Sequence, residues 1–386
     1  MSVAAVRLPP LSLYVHLPWC VRKCPYCDFN SHALRGEPQM ARYVDALLAD
    51  MRRERELAAG RPLLSVFFGG GTPSLFPAAQ IARILEGVRT HFDVADDIEI
   101  TLEANPGTVE CADVHGYRHA GVNRLSFGAQ SFDATMLEAL GRIHSVDDIG
   151  RSVAAARAAG FGNVNLDLMY ALPGQSVAGA LDDLRHALAL GPQHVSWYQL
   201  TLEPNTVFYA RPPAGMPDED TAWAMQLEGQ ALLGGAGYER YETSAYALPG
   251  YRCRHNLNYW RFGDYLAIGA GAHGKYTAPA GIRRYAKPAH PLAYIEAQEA
   301  DGSRRESQPV GAHDRVFEYM LNVLRLTEPF TETAFAERTG LPAERLHDQL
   351  AQLREQGLVE GVGGGVWRVS PLGQRFLNDL QAAFLP

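Results

Sequence analysis

From Leu11 to about Glu203 the hydrophobic pattern alternates between short β-rich runs and helical stretches. LSLYVHL (Leu11–Leu17), LLSVFFG (Leu63–Gly69), DIEITLE (Asp97–Glu103), NRLSFGAQS (Asn123–Ser131), NVNLDLMY (Asn163–Tyr170) and HVSWYQLTLE (His194–Glu203) predict six strands. Between them, Met40, Tyr43, Val44, Leu47, Leu48 and Met51 repeat at three- and four-residue steps, one face of a helix. Ser176 can cap a helix through LDDLRHALAL, with Gly191 just past its end. Six β-then-α units in series predict a parallel sheet with right-handed crossovers. Polar and Gly-rich residues gather at the C-terminal strand ends, where α/β barrels place their chemistry. Six units rather than eight predict an incomplete (β/α)6, TIM-like barrel, although an open sheet would give the same count.

Past Pro212 the alternation stops. A Pro/acidic segment, Arg211–Asp220, leads to a helix from Thr221 to about Gly234, then RYETSAYA and RCRHNLNYWRFGDYLAIGAGAHGK. Helical patterns at Ala312–Leu324, Thr331–Thr339 and Ala343–Gln356 precede LVEGVGGGVWRVSPLG, which reads as a two-stranded wing. The expected division is a barrel over 1–210, a connecting region over 211–310 and a winged-helix-like α+β module over 311–386. Asp348, Glu355 and Glu360 surround Arg345 and Arg354, so the last module lacks a basic stripe and is expected to pack or dock a partner rather than read DNA.

Composition narrows the class. At 386 residues and 47% hydrophobic, the chain can bury a large core and a smaller second one. The charge balance, 35 − 43 = −8, gives no basic footprint for nucleic acid. Met1–Pro10 has no apolar run of secretory type, and no stretch approaches the ~18 uncharged apolar residues of a membrane span. Five cysteines, three of them crowded together, fit metal or redox use in a reduced, cytoplasmic setting better than a disulfide framework.

The crowded three lie in WCVRKCPYCDFN, as Cys20, Cys24 and Cys27. Zinc would want a fourth ligand, and His32 is near enough in sequence to serve. Cys111 and Cys253 are distant; Cys111 reads as structural. A [4Fe–4S] cluster on three thiolates would instead leave one iron open for an outside molecule. Its place directly after the first strand puts it at the barrel mouth, with Trp19, Tyr26 and Phe29 to shield it. The spacing favours the cluster.

C-x3-C-x2-C with an aromatic before the last cysteine resembles the signature of the radical S-adenosylmethionine (SAM) superfamily. FGGGTPS, holding Gly70, Gly71 and Thr72, looks like that family's glycine loop, where backbone approaches the SAM amino group without Cβ clashes. Tyr14, Phe29, Glu103 in LEANP, Gln130 in FGAQS, Arg142 in LGRIH and Asp167 in LDLMY match SAM-contacting positions of its porphyrin-related branch. As carboxylate, amide and guanidinium groups, the last four suit ribose hydroxyls and a methionine carboxylate. The resemblance implies a radical-SAM barrel in which SAM chelates the open iron and one electron cleaves its sulfonium.

Two relatives within that branch resemble the chain along nearly its whole length: oxygen-independent coproporphyrinogen III oxidase and the HemW-type haem chaperone. The oxidase carries a further cysteine where this chain has Phe29, and a long extension before the cluster where this chain has only Met1–Trp19. The chaperone family carries HNxxYW, which matches His255, Asn256, Tyr259 and Trp260. The resemblance therefore implies a chaperone that binds haem at those residues and passes it to acceptor proteins, including membrane-associated respiratory proteins, with an electron donor for the cluster. Cys253 is a further ligand candidate or an inert core thiol, and His273 a weaker candidate. The alternatives are the oxidase itself and a nucleic-acid-modifying radical-SAM enzyme; the negative charge disfavours the latter. Whether SAM is cleaved, and so whether the protein is an enzyme, is left open by the residues.

Overall fold

Alternation within each strand decides which way its side chains face. In β1 (Leu11–Leu17) the apolar set Leu11, Leu13, Val15 and Leu17 is fully buried under the helical layer, while Ser12, Tyr14 and His16 point the other way. The computed structural model describes residues 8–34, 39–107, 111–300 and 307–385, with the side chains of 111–113 outside the described set.

The strands β2 (Leu63–Gly70), β3 (Val94–Ala104), β4 (Arg124–Gln130), β5 (Val164–Tyr170) and β6 (His194–Gln199) follow β1 in sequence order, each parallel to the one before. The helices α1 (Met40–Glu54), α2 (Ala78–His91), α3 (Cys111–Ala120), α4 (Val146–Ala158) and α5 (Val177–Ala189) cover the outer face. Ser145 and Asp148 close α4 with a capping box, and Ser176 caps α5. The inner face is largely polar: Ser12, Ser65, Glu99, Arg124, Asn165 and His194 line its lower half, with the Phe67 ring above them. It is a half-barrel with a hydrogen-bonded lumen rather than an apolar one.

The region expected to be a connector joins this sheet instead. After α6 (Glu219–Gly235), β7 (Glu239–Glu242) and β8 (Ala245–Ala247) extend the sheet antiparallel past β6. On the opposite edge β9 (Asp264–Ile268) pairs parallel with β1, and β10 (His273–Ala278), β11 (Gly281–Ala286) and β12 (Ser307–Pro309) continue antiparallel. The result is one twelve-stranded open sheet, ordered β12-β11-β10-β9-β1-β2-β3-β4-β5-β6-β8-β7. DYLAI in β9 is buried at every position, so it carries no alternation to announce a strand.

Between β8 and β9, α7 (Arg254–Trp260) closes the N-terminal end of the lumen. Glu99 accepts the backbone N–H groups of Arg254 (3.0 Å) and His255 (3.2 Å), and Asn258 Nδ2 donates to Ser12 Oγ at 3.0 Å. α8 (Pro291–Glu299) lies against α1: Lys287 pairs with Asp50 and Glu54, both at 2.7 Å, and the Tyr294 hydroxyl donates to Asp50.

The C-terminal unit has its own apolar core around Tyr319, Phe335, Leu350 and Leu353, joined to the barrel side through Phe262 and Ile282. It contains α9 (Ala312–Val323), α10 (Glu332–Thr339), α11 (His347–Glu355) and a small antiparallel sheet of β13 (Phe330–Thr331), β14 (Val359–Gly363) and β15 (Val366–Val369). Among the described residues, no helix is long and apolar enough to cross a membrane.

Candidate functional site

The loop after β1 turns back on itself, with Trp19–Cys20 pairing parallel to His32–Ala33. That fold presents Cys20, Cys24 and Cys27 above the C-terminal strand ends. With Phe29, Gly70, Gly71, Thr72, Glu103, Gln130, Arg142 and Asp167 they line one cavity of about 260 Å³. Eleven of the twelve residues assigned to cluster and SAM thus converge. The exception is Tyr14, which lies one layer lower; its hydroxyl is 3.1 Å from His16 Nδ1 and its ring backs onto Gly69.

Each thiol has a polar neighbour. Thr72 Oγ1 donates to Cys20 Sγ at 3.4 Å, Ser31 Oγ lies 3.6 Å from Cys27 Sγ, and Arg142 donates to Cys24 Sγ at 3.7 Å. Burial pushes the Cys20 and Cys27 thiols up, so ionising them calls for a cationic group between them. Among the described residues, no three His, Cys, Asp or Glu side chains come close enough together to hold a single metal ion. A four-iron cube takes one thiolate at each of three corners, and three thiols are what this loop presents. His32 is turned to Asn30 Oδ1, 3.3 Å from its Nε2, and is absent from the cavity wall.

The floor of the cavity is built for close approach. Gly70 has φ +116°, and a Cβ there would lie 2.5 Å from the His16 ring. A Cβ on Gly71 would lie 2.6 Å from the Trp19 carbonyl oxygen. Gln130 holds a left-handed backbone (φ 69°) that a non-glycine residue adopts under strain, and its amide oxygen accepts from Tyr198 at 3.0 Å. Arg142 donates to Gly128 O (2.7 Å) and Asn105 Oδ1 (3.0 Å), yet its buried Nε has no hydrogen-bond partner. An orphaned N–H in a cavity wall is a donor awaiting an anionic or carbonyl ligand.

Glu103 on β3 and Asp167 on β5 flank β4 in the same sheet, close enough for their charges to interact. Burial, reinforced by Asp167, pushes the Glu103 carboxyl up to about 8. Burial also raises Asp167, against the hydrogen bonds it receives from Ser126 (3.0 Å) and Asn165 (2.8 Å). A cationic ligand carrying hydroxyls would relieve both. Asn105 and Tyr198 also line the cavity and were missed from sequence, although Tyr198 shares the inward alternation of His194 and Ser196.

His255, Asn256, Tyr259 and Trp260 lie elsewhere. They belong to α7 at the opposite end of the barrel and are absent from the cavity. Ser65 Oγ is 3.0 Å from His255 Nδ1, and the ring packs 5.0 Å from Phe67 and 6.4 Å from Tyr14. Burial, with Arg124 nearby, lowers His255 to about 3. Tyr259 meets Trp260 edge-to-face at 4.9 Å, and Arg325 lies 4.4 Å over the Trp260 ring. Cys253 is fully buried, 3.5 Å from Glu99, and its thiol is pushed up to about 12 by burial and that carboxylate. His273 is exposed at the start of β10. The side chain of Cys111 lies outside the described set.

Comparison with known proteins identifies the family and the fold. The radical SAM superfamily model matches residues 14–187, and the HemN C-terminal domain model matches residues 310–376. The chain is 49% identical over 381 residues to the haem chaperone HemW of Escherichia coli, covering 98% of this chain and 99% of the relative. The HemW of Haemophilus influenzae is 48% identical over 385 residues, with the same coverage. Radical S-adenosyl methionine domain-containing protein 1 of mouse mitochondria is 40% identical over 298 residues, 76% of this chain and 66% of that one. Among solved structures, coproporphyrinogen III oxidase (HemN) of Escherichia coli superposes with a TM-score of 0.82 at 24% identity, covering 99% of this chain and 91% of that one. That likeness bears on the fold alone.

Proposed function

The chain belongs to the HemW haem-chaperone family, and from that premise we propose that it carries haem on a radical-SAM scaffold and passes it to acceptor proteins in the cytoplasm or at the membrane surface. The observation that carries the reading is the single cavity in which three cysteines, a glycine cradle and an unpartnered arginine N–H converge. Cys20, Cys24 and Cys27 hold a [4Fe–4S] cluster, steadied by Thr72, Arg142 and Ser31. Backbone of Gly70, Gly71 and Thr72 receives the amino group of SAM. Glu103 and Asp167 take its ribose hydroxyls, and Gln130 and Arg142 its carboxylate. When bound, the cluster supplies one electron at a time from an external donor; the residues around it bind, orient and exclude water.

Phe29 favours the chaperone over the oxidase. It stands where the oxidase has a cysteine, and at 65% exposure its ring offers an apolar surface at the cavity mouth. His255 and its neighbours meet haem in this reading only if α7 leaves the barrel floor, because the His255 ring is packed beneath Phe67 and Tyr14.

Anaerobic reconstitution tests the scaffold: about four irons and four sulfides per chain are expected, lost on Cys24→Ser. One tightly held zinc would overturn it. Haem titration with and without SAM tests the cargo. Conversion of coproporphyrinogen III to protoporphyrinogen IX by the reduced, SAM-loaded protein would reassign the chain to the oxidase.

A further inference from the structure

The polar lumen lies between the two places the proposed function uses, the cavity above it and α7 below. A run of hydrogen bonds crosses it from Asp167 to the N-cap of α7. Asn165 Nδ2 donates to Asp167 Oδ1 at 2.8 Å, and Asn165 Oδ1 lies 2.5 Å from His194 Nδ1. His194 Nε2 lies 2.8 Å from the Tyr241 hydroxyl, which accepts the backbone N–H of Cys253 at 3.3 Å. Cys253 is the residue that caps α7. Asn165, His194 and Tyr241 are each at most 1% exposed, so the run is sealed from solvent.

Every link points the same way. With its amide nitrogen facing a carboxylate, Asn165 has only its oxygen left to accept, so His194 carries its proton on Nδ1 and its Nε2 accepts from Tyr241. Burial, with the Arg124 charge nearby, pushes the His194 pKa down and keeps the ring neutral. Each donor is polarised by the next acceptor, and the negative end is Asp167. The bonds of Cys20, Cys24 and Cys27 go to Thr72, Arg142 and Ser31 instead, so cluster loading stands apart from the run.

Arg124 supplies the second half. It is 2% exposed at the start of β4, yet its Nε has no hydrogen-bond partner, and its guanidinium makes no hydrogen bond to any described residue. Thr101 Oγ1, on its register partner in β3, is buried without a partner too. A buried guanidinium without hydrogen bonds is costly, and any arrangement that gives it an acceptor gains. Glu99 is one inward position below Thr101, near enough for its charge to act on Arg124. Its oxygens are taken, however, by the Arg254 and His255 N–H groups and the Cys253 thiol. Once α7 lifts, Glu99 loses those donors and Arg124 is the cation beside it.

Resting on the chaperone reading above, in which α7 leaves the floor to present His255, we propose that Arg124 and the run from Asp167 to Tyr241 form a latch that couples the SAM site to α7. In the closed position Glu99 and Tyr241 hold the start of α7, and Arg124 is unbonded. When ribose hydroxyls donate to Asp167, its pull on Asn165 weakens, and with it the hold of Tyr241 on the Cys253 N–H. In the open position Glu99 passes from α7 to Arg124. An occupied SAM site and a raised α7 therefore favour each other, and by linkage haem favours SAM by the same factor. Arg124, His194 and Tyr241 act here as positioning residues.

The test is haemin titration of the anaerobically reconstituted, full-length protein with and without saturating SAM, with amide hydrogen exchange over 253–260 followed in the same samples. SAM is expected to tighten haemin binding roughly fivefold or more and to speed exchange in α7. Tyr241→Phe cuts the run and Arg124→Met removes the receiving cation. Each should load iron and bind SAM and haemin, but with the effect of SAM on haemin reduced to about twofold or less. Tyr241→Phe removes a single hydroxyl and keeps the test open should the Arg124 variant fail to fold. Equal haemin affinity and equal α7 exchange with and without SAM in the wild type would overturn the latch while leaving the chaperone reading intact. Full coupling persisting in the folded variants would do the same. A wild-type protein that binds no haemin at all would remove the chaperone reading, and the latch with it.

Discussion

Gly71→Ala is the sharpest probe of the proposed cluster–SAM site. The added Cβ would lie 2.6 Å from the Trp19 oxygen, 2.7 Å from the Pro18 carbonyl carbon and 2.8 Å from its oxygen. All three are backbone atoms, so no side chain can swing aside. Restoring ordinary contact requires a shift of 3.4 − 2.6 = 0.8 Å between the glycine loop and the strand end that carries Cys20. Two backbone hydrogen bonds cross that gap, Gly71 N–H to Leu17 O and Thr72 N–H to Trp19 O, both 2.8 Å, and the Thr72 hydroxyl reaches Cys20. Overpacking of this kind costs about 1–3 kcal/mol, or roughly a 5- to 150-fold loss of SAM affinity if it falls on the site. The assay is SAM binding by equilibrium dialysis on reconstituted protein, with iron and sulfide counted alongside. Gly162→Ala is the control, since its Cβ would meet nothing within 4 Å. If Gly71→Ala binds SAM and loads iron as Gly162→Ala does, this loop is not a close-approach cradle.

Two further outcomes follow from the lumen. Glu103 is held at about 8 in the fold against an ordinary 4.5, so between those values the folded chain keeps a proton that the unfolded chain has lost. Stability of the ligand-free protein therefore falls as pH rises through that window. Glu103→Gln should flatten the dependence of Tm on pH there, and an unchanged slope would refute the assignment. Glu99→Ala removes the acceptor for the first N–H groups of α7 and leaves them unpaired at the barrel floor. It should cost about 1–3 kcal/mol in thermal or denaturant unfolding while cluster loading stays the same. Loss of the cluster at unchanged stability would mean the floor and the cavity are not separate.

Local patterning was enough to predict much of this protein. The period-two strands, the period-3.6 helix faces and the Ser caps are short-range signals, and they predict six β/α units whose observed spans differ mainly at the ends. The sixth strand stops at Gln199 rather than Glu203, because β5 ends and Leu200 N–H makes a last bond to Tyr170 O. The thiol stretch WCVRKCPYCDFN was equally legible, since its three cysteines are neighbours in the chain. What stayed hidden depends on partners far apart in sequence. β9 reads as an apolar run until β1 and β10 flank it, and the connector expected over 211–310 dissolves into both edges of one sheet.

The same physics separates the two histidine stories. HNLNYW is a conspicuous string, but a string carries no depth: only the fold puts His255 under Phe67 at the closed end of the lumen, with Glu99 holding its helix. His32 and His290 show no pattern at all along the chain. They become a pair because β9 docks beside β1 and α8 packs on α1, which brings the cluster loop and the α8 cap to opposite sides of one cleft. The sequence by itself determined the scaffold and the thiol spacing, because those are set by near neighbours. Tertiary structure alone decided which imidazole is buried and which stands in an open cleft, because burial belongs to the packing of distant elements and not to any residue's own neighbourhood in the chain.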